Sequence, residues 1–416
     1  MSDKIKIFTI SDHPLSPSGV GTQTKYIIEG MLKTGKYQFV SFGGAIKHQN
    51  HDPQHTEEWG HDWIIWPVDG YGTQDMVRAM VQQQKPDIVW FMTDPRFYNW
   101  LWQIENEIRA SVPMVYYHVW DNYPHPTFNR NFYLSNDHVA CISKLTHDIV
   151  QTVAPEVDSS YIPHAVKGDI FAPLPTDTIK AFRIEKNLDD KYVCFWNSRN
   201  ARRKQSGTLI WWFKSFLDKV GHDKAVLIMH TDIKDGHGQD LEAIISELGL
   251  TNGEVLFSQQ KVSAEDLAGM YNMADVTINI SDAEGFGLSA LESLSCGTPV
   301  VATMTGGLQD QVTDGERFFG VGIEPSSKAV IGSQEVPFIY EDRISEKDFL
   351  DAMIKMYEMS QEDRTELSTA CRTWATTNFG FDKYIDTWDK LFEKIVDEKG
   401  SWETRTGYTT YEMRTF

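Results

Sequence analysis

Two carboxylates, Glu284 and Glu292, stand eight residues apart and bracket the segment Gly285-Phe286-Gly287-Leu288. The segment follows an apolar run, passes two glycines and enters a short helical pattern that Gly297 and Pro299 end. Free backbone amides at such a helix start suit a phosphate, and a carboxylate that accepts two vicinal hydroxyls is a usual ribose contact. Two acids at this spacing can therefore serve two polyols of one ligand, one near the loop and one within the helix. Taken alone, Glu284 reads equally as a charge complementing the helix dipole, and Glu292 as a solvated helix residue.

A basic segment supplies the complement. Asn197-Ser198-Arg199-Asn200-Ala201-Arg202-Arg203-Lys204-Gln205 follows directly on the apolar run Tyr192 to Trp196. Open α/β sheets bind ligands at the carboxyl ends of their strands, so cations placed there can meet a diphosphate, Arg199 by bidentate hydrogen bonds and Lys204 as a point charge. A solvated basic turn before a helix is the plainer reading of the same charges. Near the N-terminus, Ser18-Gly19-Val20-Gly21 forms a second glycine-bearing loop, and His118 closes the apolar run Val115-Tyr116-Tyr117. A lone histidine in that position is ordinarily a satisfied core residue.

These residues need a scaffold, and the patterning supplies one. Short β-branched or aromatic runs alternate with amphipathic stretches at Ile5 to Ile10, Phe39 to Phe42, Trp63 to Val68, Asp87 to Met92, Met114 to His118 and Asp137 to Ile142. A second series runs through Tyr192 to Trp196, Ala225 to His230, Val255 to Ser258 and Val276 to Ile280. Strands separated by helical segments imply βαβ units, so the fold class is α/β with two Rossmann-like, doubly wound parallel-sheet domains and a cleft between them. The clearest helix is Thr22 to Leu32. The domains are expected at 1–170 and 171–380. A helix from Phe381 to Lys399 and an aromatic tail (Trp402, Tyr408, Tyr411, Phe416) are expected to pack back on the first domain.

Composition narrows the partners. Among 416 residues, 39 Lys+Arg face 59 Asp+Glu, a net charge of -20 that repels polyanions over the surface at large. Residues 1–170 carry 13 Lys+Arg and 19 Asp+Glu and are nearer neutral than the rest. No apolar run reaches the ~20 residues of a membrane-spanning helix, and the opening MSDKIKIFTI lacks a signal peptide's apolar stretch, so a soluble cytoplasmic protein without stable membrane insertion is expected. The cysteines Cys141, Cys194, Cys296 and Cys371 are dispersed, which argues for buried thiols over a disulfide framework or a zinc site.

In order along the chain, these motifs resemble the retaining glycosyltransferases of family 4, the group 1 glycosyltransferases, which have the two-domain GT-B fold. Glu284 to Glu292, continuing through Gly297-Thr298-Pro299-Val300-Val301, is similar to the family's E-x7-E signature, and Gly306-Gly307 to its next element. Ile162-Pro163-His164-Ala165-Val166 resembles its interdomain segment, with Ala165 in place of the usual glycine. The resemblance implies a nucleotide-diphosphate sugar, a UDP-sugar being the expected donor, with no other cofactor. It implies donor contacts from Gly19, Gly21, Arg199, Lys204, Gly285, Phe286, Gly287, Leu288 and Glu292. It further implies catalytic roles for His118, Glu284, Arg199 and Lys204, with His118 beside the donor sugar and Asp121 either orienting it or capping the next turn. The chain has no D-x-D motif, so no metal is expected and the positive groups would stabilise the departing diphosphate. Same-face substitution with retention is the expected course, since no nucleophilic carboxylate stands out in the first domain. The acceptor is left open among a glycan, a small molecule and a hydroxymethylated nucleobase in DNA. A GT-B sugar phosphorylase or nucleotide-sugar epimerase is the alternative reading.

Overall fold

The computed structural model describes residues 4–408. Its first sheet is built from β1 (Ile5–Asp12), β2 (Tyr37–Gly44), β3 (Gln54–His55), β4 (Trp63–Pro67), β5 (Ile88–Thr93), β6 (Met114–His118), β7 (His138–Cys141) and β8 (Ser159–Tyr161). Their order is β3-β4-β2-β1-β5-β6-β7-β8, and every pairing but β3 with β4 is parallel. The second sheet holds β9 (Tyr192–Asn197), β10 (Ala225–His230), β11 (Val255–Ser258), β12 (Val276–Asn279), β13 (Val300–Thr303) and β14 (Gly320–Ile323), in the all-parallel order β11-β10-β9-β12-β13-β14. In both sheets the first strand sits mid-sheet with the chain winding outward to either side. The strand order therefore reverses at β1/β5 and at β9/β12, which opens a crevice at the carboxyl ends.

The strands read as continuous apolar runs because helices cover both faces of each sheet. Tyr192 to Trp196, for example, are all buried. The first helix begins earlier than its apolar stripe suggests, at Gly19 and not Thr22, because the Ser18 hydroxyl accepts the Gly21 amide at 2.9 Å and caps it. Several strands lie outside the sequence expectations, β8, β13 and β14 among them. Strand β13 follows Pro299 at what reads as a helix stop, and β8 is only three residues long. Strand β14 opens on Gly320 at φ 133°, where a Cβ would fall 1.9 Å from the Val300 carbonyl oxygen, so the close approach demands glycine.

A hairpin, β15 (Ser327–Ile331) and β16 (Ile339–Arg343), leaves the second sheet after β14. It reaches the first domain: Val336 is buried in that domain's core cluster, and the Tyr340 amide donates to the Tyr123 carbonyl at 2.6 Å. The chain returns a second time through the helix Phe381–Lys399. Trp388 on its buried face lies edge-on to Tyr117 at 4.9 Å and Trp90 at 6.0 Å. Beyond it, the Trp402 indole donates to the Pro86 carbonyl at 3.0 Å, and Arg405 reaches the buried Asp137 at 2.6 Å. Arg405 also covers the Tyr408 ring; Tyr411 and Phe416 lie outside the described residues. All four cysteines are buried and unpaired. Among the described residues, no helix is long and apolar enough to cross a membrane.

Candidate active site

The crevice of the second domain gathers the charges that the sequence separates by eighty residues. After β9 the chain makes a tight turn, Arg202–Lys204, before the helix Ser206–Val220. The Asp282 amide donates to the Arg203 carbonyl at 2.8 Å, fastening this turn to the loop after β12. Lys204 thereby donates directly to Oε2 of Glu284, and both side chains are largely buried. Burial alone would raise the Glu284 carboxyl, but the Lys204 and Arg203 charges outweigh it and hold the group below its ordinary range, as a carboxylate. The Glu284 backbone is pinned from behind. Its carbonyl accepts the Gly307 amide at 3.0 Å, and Gly306, at φ 49°, leaves no room for a Cβ, which would lie 1.9 Å from the same oxygen.

Gly287 then starts the helix Leu288–Ser295 in the left-handed region, so the amides of that first turn face the crevice end of the sheet. One turn further, the carboxylate of Glu292 accepts the Tyr271 hydroxyl at 2.8 Å, and the same hydroxyl accepts from Asn197 Nδ2 at 2.9 Å. Burial pushes the Glu292 carboxyl up to about 7 against this hydrogen bond. Tyr271 carries no sequence signal, since it occupies an ordinary apolar position of the helix Ala264–Met273.

The first domain closes the other side. Gly19 abuts Leu288, a Cβ there lying 3.1 Å from Leu288 Cδ1, and Gly21 is packed against His13 and Ser16. Gly285 faces Val119, Trp120 and Ile142, and the Phe286 ring meets His164 at 5.0 Å. The interdomain segment is fixed by Gln23, whose side chain donates to the Ala165 carbonyl at 2.9 Å and accepts its amide at 3.1 Å.

Two expected residues stand elsewhere. His118 has no solvent exposure; it sits among Tyr116, Trp120 and Tyr133, its Nε2 is 3.2 Å from the Tyr133 hydroxyl, and burial drives its pKa down to about 3. As β6 alternates faces, His118 follows Tyr116 into the first-domain core, so the placement beside a donor sugar is not observed here. Asp121 does not orient it, but reaches 3.4 Å to Nη1 of Arg203. Arg199 is exposed and turned toward Asp235, which it meets through Nε at 2.5 Å, while Lys204 sits with Glu284. Arg203, next in sequence to Lys204, is the arginine that joins the Lys204–Glu284 cluster; a run of adjacent cations does not reveal which one faces inward.

Residues 177–372 match the sequence family described as "Glycosyl transferases group 1". That match takes in just under half of the chain, and over it the chain is similar to group 1 glycosyltransferases. Among curated relatives, D-inositol 3-phosphate glycosyltransferase of Arthrobacter sp. (strain FB24) is 33% identical over 148 residues, 36% of this chain and 33% of the relative. The enzyme of the same name from Paenarthrobacter aurescens (strain TC1) is 43% identical over 76 residues, 18% of either chain. The matched segments thus span a third or less of these relatives. Solved structures extend the likeness in fold to nearly the whole chain. A sucrose-phosphate synthase from Thermosynechococcus elongatus superposes with a TM-score of 0.74 at 16% identity, covering 95% of this chain and 100% of that one. An Anabaena protein, HepE, in complex with UDP and glucose gives 0.69 at 16% identity over 94% and 99% of the two chains. The chain has the GT-B fold, two parallel-sheet α/β domains.

Proposed function

We propose that the protein transfers a sugar from a nucleotide-diphosphate sugar to a hydroxyl of a small-molecule acceptor, with retention at the anomeric carbon and without a metal ion. The observation that carries this reading is one crevice wall, in which Glu284 is held ionised between Lys204 and Arg203 while Glu292 is poised on Tyr271. In this arrangement Glu292 accepts the ribose hydroxyls, Glu284 accepts hydroxyls of the transferred sugar, and the diphosphate lies against Lys204 and the first amides after Gly287. Negative charge grows on the diphosphate as the sugar departs, so groups placed there stabilise the transition state beyond the ground state. Arg199 joins them on leaving Asp235.

A UDP-sugar is the first donor to test, because HepE, alike in fold, has been solved with UDP and with UDP-glucose. A small phosphorylated acceptor is favoured over DNA, because the partial relatives are named for inositol 3-phosphate and the chain carries a net charge of -20. The test is mass-spectrometric detection of nucleoside diphosphate released from UDP-, GDP-, ADP- and dTDP-sugars, with Lys204→Ala and Glu292→Ala as controls. Release from one donor, lost in both variants, supports the reading. No release from any donor, with no thermal stabilisation by the nucleotides, defeats it.

A further inference from the structure

Among the described residues, an ion pair crosses between the domains at the crevice. Asp121 follows β6 in the first domain, and its carboxylate lies 3.4 Å from Nη1 of Arg203 in the second. The guanidinium is held in place, since Nη1 also donates to the Ala283 carbonyl at 2.5 Å, immediately before Glu284. The Asp121 backbone is seated as well: its carbonyl oxygen is 3.4 Å from where a Cβ on Gly306 would stand. Yet the pair is open to a ligand, its side chains being 24% and 37% exposed for Asp121 and Arg203. The charged groups around Asp121 are the cations Arg203 and Lys204 and the anions Asp94 and Glu284. Lys204 is occupied by Glu284, so Arg203 is what holds the Asp121 charge.

A diphosphate brings more negative charge than a carboxylate and matches a guanidinium bidentately, so it outcompetes Asp121 for Arg203. We propose that donor binding switches Arg203 from Asp121 to the diphosphate, and that the freed Asp121 carboxylate then accepts a hydrogen bond from the attacking acceptor hydroxyl. This rests on the transfer reaction proposed above. It assigns the first-domain role at the end of β6 to Asp121, while His118 stays in the core. It also orders the site, because the acceptor's hydrogen-bond partner becomes available only after the donor has taken Arg203.

The switch predicts effects of opposite sign. In Asp121→Asn, Arg203 has lost its competitor, so nucleoside diphosphate binds about 3- to 10-fold tighter by calorimetry at low salt. Transfer from the donor that the wild type uses falls by about 100-fold or more, with the loss in kcat. Arg203→Met instead weakens nucleoside diphosphate binding by about 10-fold or more. Asp121→Asn that changes neither quantity, or that lowers binding and transfer together, overturns the proposal. A wild type that binds no nucleoside diphosphate and turns over no donor overturns the transfer reading itself. A wild type that turns over while Asp121→Asn matches it overturns the switch alone.

Discussion

The Tyr271 hydroxyl donates to Glu292 at 2.8 Å while accepting from Asn197 at 2.9 Å, so a single phenol joins the end of β9 to the helix that follows Gly287. The contact is made to a carboxyl that burial has lifted from 4.5 to about 7. The sign of the resulting pH effect follows from proton counting. Between those two values the folded protein holds a proton that the unfolded chain has released, so this group's contribution to stability is present below 4.5 and is lost as pH rises to about 7. Glu292→Gln removes the dependence, and the stability of the wild type relative to this variant should drop by about 1–3 kcal/mol between acid and neutral pH in chemical denaturation. In the proposed donor mode the ribose hydroxyls need the Glu292 carboxylate as acceptor, so nucleoside diphosphate binding should strengthen as pH rises from about 6 to about 8, and Glu292→Gln should flatten that profile.

Lys204 and Glu284 form a pair that neither member can leave cheaply. Lys204→Met strands a buried carboxylate, and Glu284→Gln leaves a buried ammonium against an amide; removing one partner of such a pair costs about 3 kcal/mol. The double variant is expected to recover about half or more of the stability lost in Lys204→Met while donor turnover stays abolished, which separates the structural from the chemical role. Urea denaturation of the four proteins in the cycle, beside donor turnover, reads both. Additive stability losses would show that the two side chains do not depend on each other.

Legibility in the sequence followed periodicity and stopped where geometry takes over. Strands β6, β10 and β11 stand at the residues their apolar runs indicate, and the helix Phe381–Lys399 spans its whole apolar stripe. β6, β10 and the helix have buried residues that write themselves into the pattern, while β11, at the sheet edge, buries only Val255. Strand β14 does not, because between Gly320 and Gly322 its apolar face is only Val321 and Ile323, too short to mark a strand, and neither does the hairpin, whose β16 is Ile-Tyr-Glu-Asp-Arg. The carboxylates and Lys204 were visible from spacing and family order. Tyr271 was not, nor was the pairing of Asp121, read there as a partner of His118 or a cap, with Arg203 of the basic segment, since these come from which side chains the crevice brings within reach.

Gly285 and Gly306 both line the Glu284 loop, yet substitution should separate them. A Cβ at Gly285 would make ordinary contacts of 3.5–3.7 Å with Ile142, Trp120 and Val119, whereas one at Gly306 would strike the Glu284 carbonyl at 1.9 Å from a left-handed backbone. Gly306→Ala is therefore expected to displace Glu284, cost about 2 kcal/mol or more and reduce turnover by at least about 10-fold. Gly285→Ala should stay within about 1 kcal/mol of the wild type. Thermal unfolding and turnover measured side by side distinguish the two; equal effects would mean that the Glu284 backbone is not held by this contact.

The hairpin offers the most direct handle on how the domains stay together. Its seat on the second domain is ionic, with Arg202 gripping Glu341 by both terminal nitrogens, at 2.8 Å through Nη1, and the Asp342 carboxylate accepting from Thr305 at 2.7 Å. Its hold on the first domain adds to the buried Val336 the Tyr340 amide on the Tyr123 carbonyl, next to Asn122, which donates to the Tyr340 carbonyl. Tyr340→Pro deletes that donor while leaving the ionic seat intact. The loss amounts to about 1–2 kcal/mol of cross-domain contact, too little to unfold a chain of this size but enough to open the crevice more often. Hydrogen exchange should then quicken at residues 119–123 and 326–343 together, with the second-domain sheet unchanged. Since closure excludes water from a bound donor, the variant should also hydrolyse donor at a greater fraction of its transfer rate. Exchange confined to the hairpin, with 119–123 still protected, would show that the domains are closed by other contacts.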